Sequence, residues 1–332
     1  MSLPSARSPR ALFLSRLTLL VALATGAGSC GTNKHQGADG GGSGGGAGTG
    51  GHPGSGGATA SCGMLVGGTG GEGGGGGEAG GGGSPPSCAG NAISLGANGT
   101  GADSDAAHAR VMVDLKDELP IGSAARTVEL WAYVRSTDWT GGSNTLFEYG
   151  TEAVTAAAFG LEFGATAESI RPYISAGGDA DQPACLNTTV DQWVHFAMTW
   201  DGMAVRTYLN GVIRSSRTNA AGQTLATART FLTIGCSNPR FSCFGGIIDE
   251  FRIWKVARSA AEIAASYDRS LIGNEVGLVG YWKFNEPAGA LAAADSVTTA
   301  GHVPHPGTPT AVMPTQMPAF VTAEVPAPIR CP

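Results

Sequence analysis

Apolar and polar side chains alternate with a period of two through most of residues 91–332. In the clearest run, 193–200, every second position carries Val, Phe, Met or Trp. An Asp-Gly pair at 201–202 and an Asn-Gly pair at 210–211 enclose the next alternating run, 205–209. Alternation is typical of strands that bury one face, and these dipeptides supply the positive φ angles of tight hairpin turns. The pattern therefore predicts a three-stranded meander around the two turns.

Five further segments have the same strand character: 128–134, 159–163, 231–235, 247–254 and 278–284. Only one helix is predicted, because Ser259 and Glu262 have the spacing of a capping box and Ile263 continues a short amphipathic turn. Many strands with one short helix favour an all-β fold, a two-sheet antiparallel sandwich. We expect four tryptophans to fill its core: Trp131, Trp200, Trp254 and Trp282.

A glycine-rich segment precedes this region. Residues 31–90 hold 29 of the 54 glycines and few charged or large apolar side chains. Such a segment cannot bury enough apolar surface to offset its ordering entropy, which is largest for glycine. The sequence therefore predicts a disordered tether, with the folded domain beginning at about residue 91.

The amino terminus has the pattern of an export signal. Three arginines among the first 16 residues precede the apolar run 17–24, and small residues at 26–29 lead to Cys30. A basic start, a short apolar stretch and small residues are typical of a secretory signal. The segment 27–30 resembles a bacterial lipobox, although Ala27 stands where leucine is usual. The resemblance implies a signal peptide at 1–29 and lipidation of Cys30; ordinary signal cleavage and free secretion are the alternative.

Six cysteines remain when Cys30 is set aside, and an even number in an exported chain indicates disulfides. Cys236 and Cys243 are close enough in sequence to close one loop, and no third cysteine or histidine near them suggests a zinc site. We therefore predict a Cys236–Cys243 disulfide, although Cys185 could compete for either partner. The pairing of the others stays open: Cys62, Cys88 and Cys331.

Four sequence blocks carry a more specific signal. They are Val-Glu-Leu-Trp-Ala-Tyr-Val at 128–134, the meander at 193–211, Phe-Gly-Gly-Ile-Ile-Asp-Glu-Phe-Arg-Ile-Trp at 244–254, and Gly-Tyr-Trp-Lys-Phe-Asn-Glu at 280–286. In this order they resemble laminin-G-like and pentraxin-like domains of the concanavalin A-like lectin/glucanase superfamily. The resemblance implies a jelly-roll sandwich over 91–300. Because prolines remove ladder donors, we expect residues 301–332 to form an extended proline-rich tail.

The glucanases of this superfamily carry catalytic carboxylates as Glu-x-Asp-x-x-Glu, a motif that this sequence lacks. Asp249 and Glu250 are adjacent, so on a regular strand they point to opposite faces. Glu162 has no second carboxylate two or four residues away. Retaining glycosidases need two carboxyl groups about 5–5.5 Å apart. We therefore expect no catalytic residues and a protein that is not an enzyme.

Calcium is a possible cofactor, because pentraxin-like relatives bind it with two loops of the sandwich. The corresponding positions here offer Glu152 and Asn238, and Asn238 lies inside the loop that the predicted disulfide closes. Asp103 and Asp105 form another acidic pair, which we interpret as a solvated polar turn with metal binding as the alternative. Calcium prefers six to eight oxygen ligands, so these four residues are candidates only.

Two other side chains are candidates for function. Trp139 lies in a turn-rich segment, where an exposed aromatic ring could stack on a sugar or an apolar partner. His195 lies in the middle of a predicted strand between aromatic residues, and we interpret it as a buried structural histidine.

The net charge of −6 disfavours nucleic acid, which requires a basic surface. We expect a non-catalytic binding module, exported and held at the outer membrane or cell surface only through the lipid anchor. Its loops would bind a glycan or a surface or extracellular protein. The alternatives are a structural envelope lipoprotein without a dedicated ligand, and a divergent polysaccharide-cleaving enzyme.

Overall fold

Two antiparallel sheets make up the computed structural model of this protein. The structure describes residues 90–96, 109–136, 144–151, 157–163, 169–174, 184–185, 190–218, 224–237, 242–311, 317–322 and 327–332. The predicted signal peptide and all but the last residue of the predicted tether lie outside these ranges. The predicted all-β sandwich with one short helix is confirmed.

The larger sheet has the strand order β10-β9-β8-β3-β12-β1-β15, and β13 also pairs with β12. In chain order its strands are β1 (Asn91–Ser94), β3 (Arg126–Tyr133), β8 (Trp193–Trp200), β9 (Ala204–Leu209), β10 (Val212–Thr218), β12 (Ile247–Trp254), β13 (Leu278–Trp282) and β15 (Ala319–Thr322). The predicted meander is β8, β9 and β10. Its second turn has positive φ at both Asn210 and Gly211, as a tight Asn-Gly hairpin requires.

The smaller sheet has the order β14-β2-β11-β4-β5-β6-β7. Its strands are β2 (Arg110–Val113), β4 (Asn144–Gly150), β5 (Ala158–Phe163), β6 (Ser169–Tyr173), β7 (Ala184–Cys185), β11 (Leu232–Ile234) and β14 (Thr308–Thr310). A short 3₁₀ helix, Lys116–Glu118, follows β2. Pro309 lies in the edge strand β14, a position where the missing N–H of proline is tolerated.

The core lies between the sheets and follows the period-two pattern. Phe147 of the smaller sheet meets Phe251 of the larger one edge to face, with ring centroids 5.9 Å apart. Phe163 and Phe196 form a second such pair at 5.5 Å. These rings are fully buried, and burying a phenylalanine side chain contributes about 1.5–3 kcal/mol to stability. The alternation of the sequence thus becomes a two-layer packing of aromatic and branched side chains.

The helix α1 (Ala260–Ser266) covers the outer face of the larger sheet through Ile263, which packs with Ala197 and Tyr208. The predicted capping box starts it, because the Ser259 hydroxyl accepts the N–H of Glu262 while the Glu262 carboxylate accepts the N–H of Ser259. No helix in the described part of the chain has the length and apolarity needed to cross a bilayer.

The tryptophans divide between two environments. Trp200 and Trp282 lie in the core between the sheets, as predicted. Trp131 and Trp254 are also buried but belong to clusters on the outer face of the larger sheet, so the prediction for these two is wrong. Both side chains point to the outer face of the larger sheet. There they are covered by other segments of the chain rather than by the second sheet.

The proline-rich segment is not a free tail. Within 301–332, strand β14 pairs with β2 and strand β15 pairs with β1, while Phe320 and Ile329 are buried. Our expectation of an extended tail is therefore wrong. Its prolines were evidence against interior strands, but edge strands tolerate them, and the sandwich continues past residue 300.

Candidate functional site

An open groove lies beside the edge strand β14, where two segments of distant sequence meet. Its volume is about 350 Å³, and its lining includes Met112, Asp114, Lys116, Phe231 and Thr308. Ligand pockets commonly measure about 300–1,000 Å³ and combine apolar surface with a few placed polar groups. The groove therefore has the size and composition expected for one or two small rings.

Local backbone structure positions the polar residues of the groove. Asp114 follows β2 directly, and its Oδ1 atom accepts the N–H of Lys116 over 3.1 Å. This bond closes a tight turn in which Lys116 has a φ of 47°. Phe231 precedes β11, and 47% of its surface is exposed although it is a large apolar side chain. An exposed ring thus lies near a carboxylate and an ammonium group.

A cluster of three metal-ligating side chains adjoins the same region. The Oε2 atom of Glu118 lies 3.1 Å from Nδ1 of His302 and 3.5 Å from Nε2 of His305. The antiparallel pairing of β14 with β2 explains this meeting, because it sets the segment before β14 beside the segment after β2. His305 also lines the groove. These three residues are the ones that could hold a metal ion among the described residues.

A second polar cluster is buried on the outer face of the larger sheet, around Glu129. Its carboxylate forms ion pairs with Arg258 and, at 3.8 Å, with Arg252. Nε2 of His195 lies 3.3 Å from Glu129 Oε2, but its direction is poor for a hydrogen bond, so we assign Arg258 as the main partner. Burial opposes ionisation of Glu129, yet the contact with His195 and the two guanidinium charges outweigh it and lower its pKa to about 2.

His195, Asp249 and Glu250 lie in or beside the same buried cluster. Burial lowers the pKa of His195, so its ring is neutral at pH 7. Glu250 accepts hydrogen bonds from Arg252 at 2.7 Å and from Ser270 at 3.1 Å. Asp249 accepts the N–H of Glu250 over 2.8 Å at a β-bulge of β12. His195 is buried, in agreement with the structural role that we expected for it.

The β-bulge interrupts the alternation of faces that was expected for Asp249 and Glu250. Glu250 has a φ of 50°, and the register with β3 shifts between Asp249 and Arg252. Strict alternation of faces therefore fails at this point, and both Asp249 and Glu250 are buried. Burial and the negative charge of Glu250 raise the pKa of Asp249 well above its ordinary value of 3.8.

Most of the residues singled out from the sequence lie outside the described residues. They are Cys30, Asp103, Asp105, Trp139, Glu152 and Asn238. The lipid anchor, the calcium site and the stacking tryptophan therefore remain predictions. The Cys236–Cys243 disulfide is present, and Cys331 is also disulfide-bonded.

The sequence patterns predicted neither the groove nor the histidine cluster. The His-x-x-His spacing of His302 and His305 was a usable signal, but it fell in the segment interpreted as a tail. Phe231 was assigned to a strand, whereas the strand begins one residue later. Nothing in the sequence placed Glu118 near the histidines, because the β2–β14 pairing brings it there.

Comparisons with known proteins identify the class that this fold defines. Residues 109–264 match the family model of the concanavalin A-like lectin/glucanases superfamily. This match agrees with the laminin-G-like resemblance of the sequence blocks. No curated protein matches the chain significantly.

Similar solved structures have low sequence identity to this chain. A Bacteroides ovatus protein proposed to bind carbohydrate has 17% identity and a TM-score of 0.52, with 72% of this chain and 61% of that chain covered. This chain thus spans less than two thirds of that protein. A SAP-like pentraxin from Limulus polyphemus has 14% identity, a TM-score of 0.41 and coverages of 53% and 80%.

The sialyllactose-bound CBM40 of a Ruminococcus gnavus sialidase has 13% identity and a TM-score of 0.39, with 52% of this chain and 95% of that chain covered. The likeness to the Bacteroides ovatus protein supports a shared fold and does not identify a ligand. What this chain binds has to be argued from its own residues.

Proposed function

We propose that this protein is a non-catalytic carbohydrate-binding module and that the groove beside β14 holds the sugar. The exposed ring of Phe231 in that groove carries the proposal. An aromatic ring offers a flat apolar surface, which suits the apolar face of a pyranose ring. Asp114 and Lys116 lie at the same groove and provide an acceptor and a donor for sugar hydroxyl groups.

The described carboxylates support binding rather than bond cleavage. Glu129 and Glu250 are buried and held by arginines, and Nε of Arg171 donates to Glu162 over 2.7 Å. Glycoside hydrolysis needs one carboxyl group with a raised pKa and a second one across the glycosidic bond. Asp249 has a raised pKa, but it is enclosed in the sheet and does not line the groove.

The setting of the module is part of the proposal. The signal-like residues 1–29, the lipobox-like Cys30 and the glycine-rich segment 31–90 would place the sandwich at the outer membrane or cell surface on a flexible tether. A coil of about 60 residues spans on the order of 40 Å, which would hold the groove clear of the lipid. Cys30→Ala would test this, because it should abolish metabolic labelling by palmitate.

Replacement of Phe231 by alanine tests the groove. We expect the full chain to bind at least one ligand on a glycan array, and Phe231→Ala to weaken that binding about fivefold or more, since stacking of an aromatic ring contributes about 1 kcal/mol. Leu291→Ala is the matched control, because Leu291 is 88% exposed and does not line the groove.

Three results would count against the proposal. A Phe231→Ala variant that binds glycan as the wild type does would place the sugar elsewhere. Capture of a protein partner without any glycan would favour a protein-binding module, and release of sugar from a polysaccharide would indicate an enzyme.

A further inference from the structure

We propose that Glu118, His302 and His305 bind a divalent transition-metal ion, with zinc as the best fit. Each residue contributes one donor atom, and the three donor atoms lie within 4.8 Å of one another. This site goes beyond the carbohydrate groove, and it differs from the calcium loops expected from the resemblance in both position and ligands.

The spacing of the donor atoms agrees with coordination. Zinc bonds to nitrogen and carboxylate oxygen measure about 2.0–2.2 Å, so two ligands at a tetrahedral angle are separated by about 3.3 Å. The Glu118 oxygen lies 3.1 Å from His302 Nδ1 and 3.5 Å from His305 Nε2. These two separations fit a bound ion closely, and the two histidine nitrogens lie within 4.8 Å of each other.

Among the described residues, two of the three donor atoms make no hydrogen bond. Oε2 of Glu118 and Nε2 of His305 are buried, and neither has a hydrogen-bond partner among the described residues. Buried polar atoms are nearly always paired. Although the distances between these atoms are short, their directions do not meet the requirements of hydrogen bonds. A cation at the centre of the cluster would satisfy both atoms at once.

Asp295 orients both histidines. Its Oδ2 atom lies 2.8 Å from Nε2 of His302 and accepts the backbone N–H of His305 over 3.1 Å. Its Oδ1 atom accepts the N–H groups of Tyr281 and Val297. A carboxylate on the far nitrogen of a histidine fixes the tautomer that leaves the near nitrogen free for metal, which is a common arrangement around zinc. Nδ1 of His302 then presents its lone pair toward Glu118.

The donor set selects the class of ion. Imidazole nitrogen suits zinc, copper and nickel, whereas calcium and magnesium prefer oxygen ligands. Two histidines and one glutamate leave the fourth position of a tetrahedral ion open, as in catalytic zinc sites. A water molecule or a ligand oxygen would complete the coordination.

Titration with cobalt and zinc tests the site. The full chain, stripped with a chelator, is titrated with Co²⁺ and followed by visible absorption, and then Zn²⁺ is added in competition. We expect one equivalent of Co²⁺ to give the intense bands of four-coordinate cobalt and Zn²⁺ to displace it. Glu118→Gln and His302→Gln should each weaken zinc binding at least tenfold, and Asp295→Asn should weaken it about 10–100-fold.

Asp117→Asn is the control, because Asp117 adjoins Glu118 in the same 3₁₀ helix but its side chain is 99% exposed and pairs with Arg229. It should bind metal as the wild type does. Circular dichroism would check that each variant is folded. Since the Glu118 side chain is 35% exposed, its glutamine variant should fold even if a histidine variant does not.

Absence of both the cobalt bands and calorimetric zinc binding would overturn the proposal. Unchanged affinity in Glu118→Gln together with unchanged stoichiometry would also overturn it, because the metal would then sit elsewhere. Neither experiment contains sugar, so failure of the metal site would leave the carbohydrate groove to its own test.

Discussion

Two buried carboxyl groups of the larger sheet, Glu129 and Asp249, have pKa values shifted in opposite directions. Glu129 contacts His195 and faces the guanidinium groups of Arg258 and Arg252, which together outweigh the cost of burial. Asp249 has a backbone N–H as its partner and the negative charge of Glu250 beside it. Local partners rather than burial alone therefore decide the direction in which the pKa of a buried carboxyl group shifts.

Asp249→Asn tests this difference. Since the folded-state pKa of Asp249 lies above its unfolded value, its contribution to stability is present below about pH 4 and is lost as the pH rises through the folded-state pKa. Asparagine keeps the acceptor for the Glu250 N–H and cannot ionise. We expect the variant to be more stable than the wild type at pH 7, with the difference shrinking towards pH 4, in urea unfolding at both pH values.

Asp117→Asn, at an exposed position, is the control. A loss of stability in Asp249→Asn at pH 7 would mean that the ionised carboxylate is the favoured folded form.

At the scale of elements, α1 depends on its surroundings. Seven residues are too few for a helix to persist alone in water, so the capping box at Ser259 and the packing of Ile263 on the larger sheet must hold it. The adjoining hairpin is fitted to it, because a Cβ atom at Gly211 would lie 2.7 Å from the ring of Tyr267. The helix and the β9–β10 turn therefore form one packed unit on the outer face.

Ser259→Ala should lower the free energy of unfolding by about 1 kcal/mol, because the N–H of Glu262 loses its acceptor. Ser259→Thr keeps the hydroxyl group and should stay within a few tenths of a kcal/mol of the wild type. Urea denaturation of the two variants checks this. Equal stability of the alanine and threonine variants would show that the cap contributes nothing.

Elements were predictable where local chemistry decides them. The meander at 193–218 follows from alternation and from the Asn210-Gly211 turn, and the start of α1 follows from Ser259. The bulge at Asp249 was not predictable, because a period-two pattern contains no sign of the inserted residue. The Glu118–His302–His305 cluster was equally hidden, since it depends on strand pairing between the two ends of the domain.

At the scale of the molecule, the last 32 residues complete both sheets. Strand β14 extends the smaller sheet and β15 extends the larger one, while the N–H of the Trp282 indole donates to the carbonyl of His305 over 2.9 Å. The tail interpretation would make this segment dispensable, whereas the structure makes it part of the core.

A chain that ends at residue 300 should therefore fail to fold cooperatively, as measured by circular dichroism and urea unfolding. A milder change gives a magnitude: Phe320→Ala should cost about 3–5 kcal/mol, as large-to-small changes in a core do. Met317→Ala, at an exposed position of the same segment, should stay within about 0.5 kcal/mol of the wild type. Cooperative unfolding of the shortened chain at wild-type stability would contradict this account.

The pairing of β1 with β15 also determines when the larger sheet can close during folding. The first described strand has both of its neighbours, β12 and β15, late in the chain, and the Thr322 hydroxyl meets the Asn91 side chain across a separation of 231 residues. Contacts between distant residues form slowly, because the intervening chain must lose entropy first. The larger sheet thus cannot close until the ribosome has made residues 319–322. If the chain is exported, as we propose from its first 30 residues, this delay would keep it unfolded for passage through the membrane.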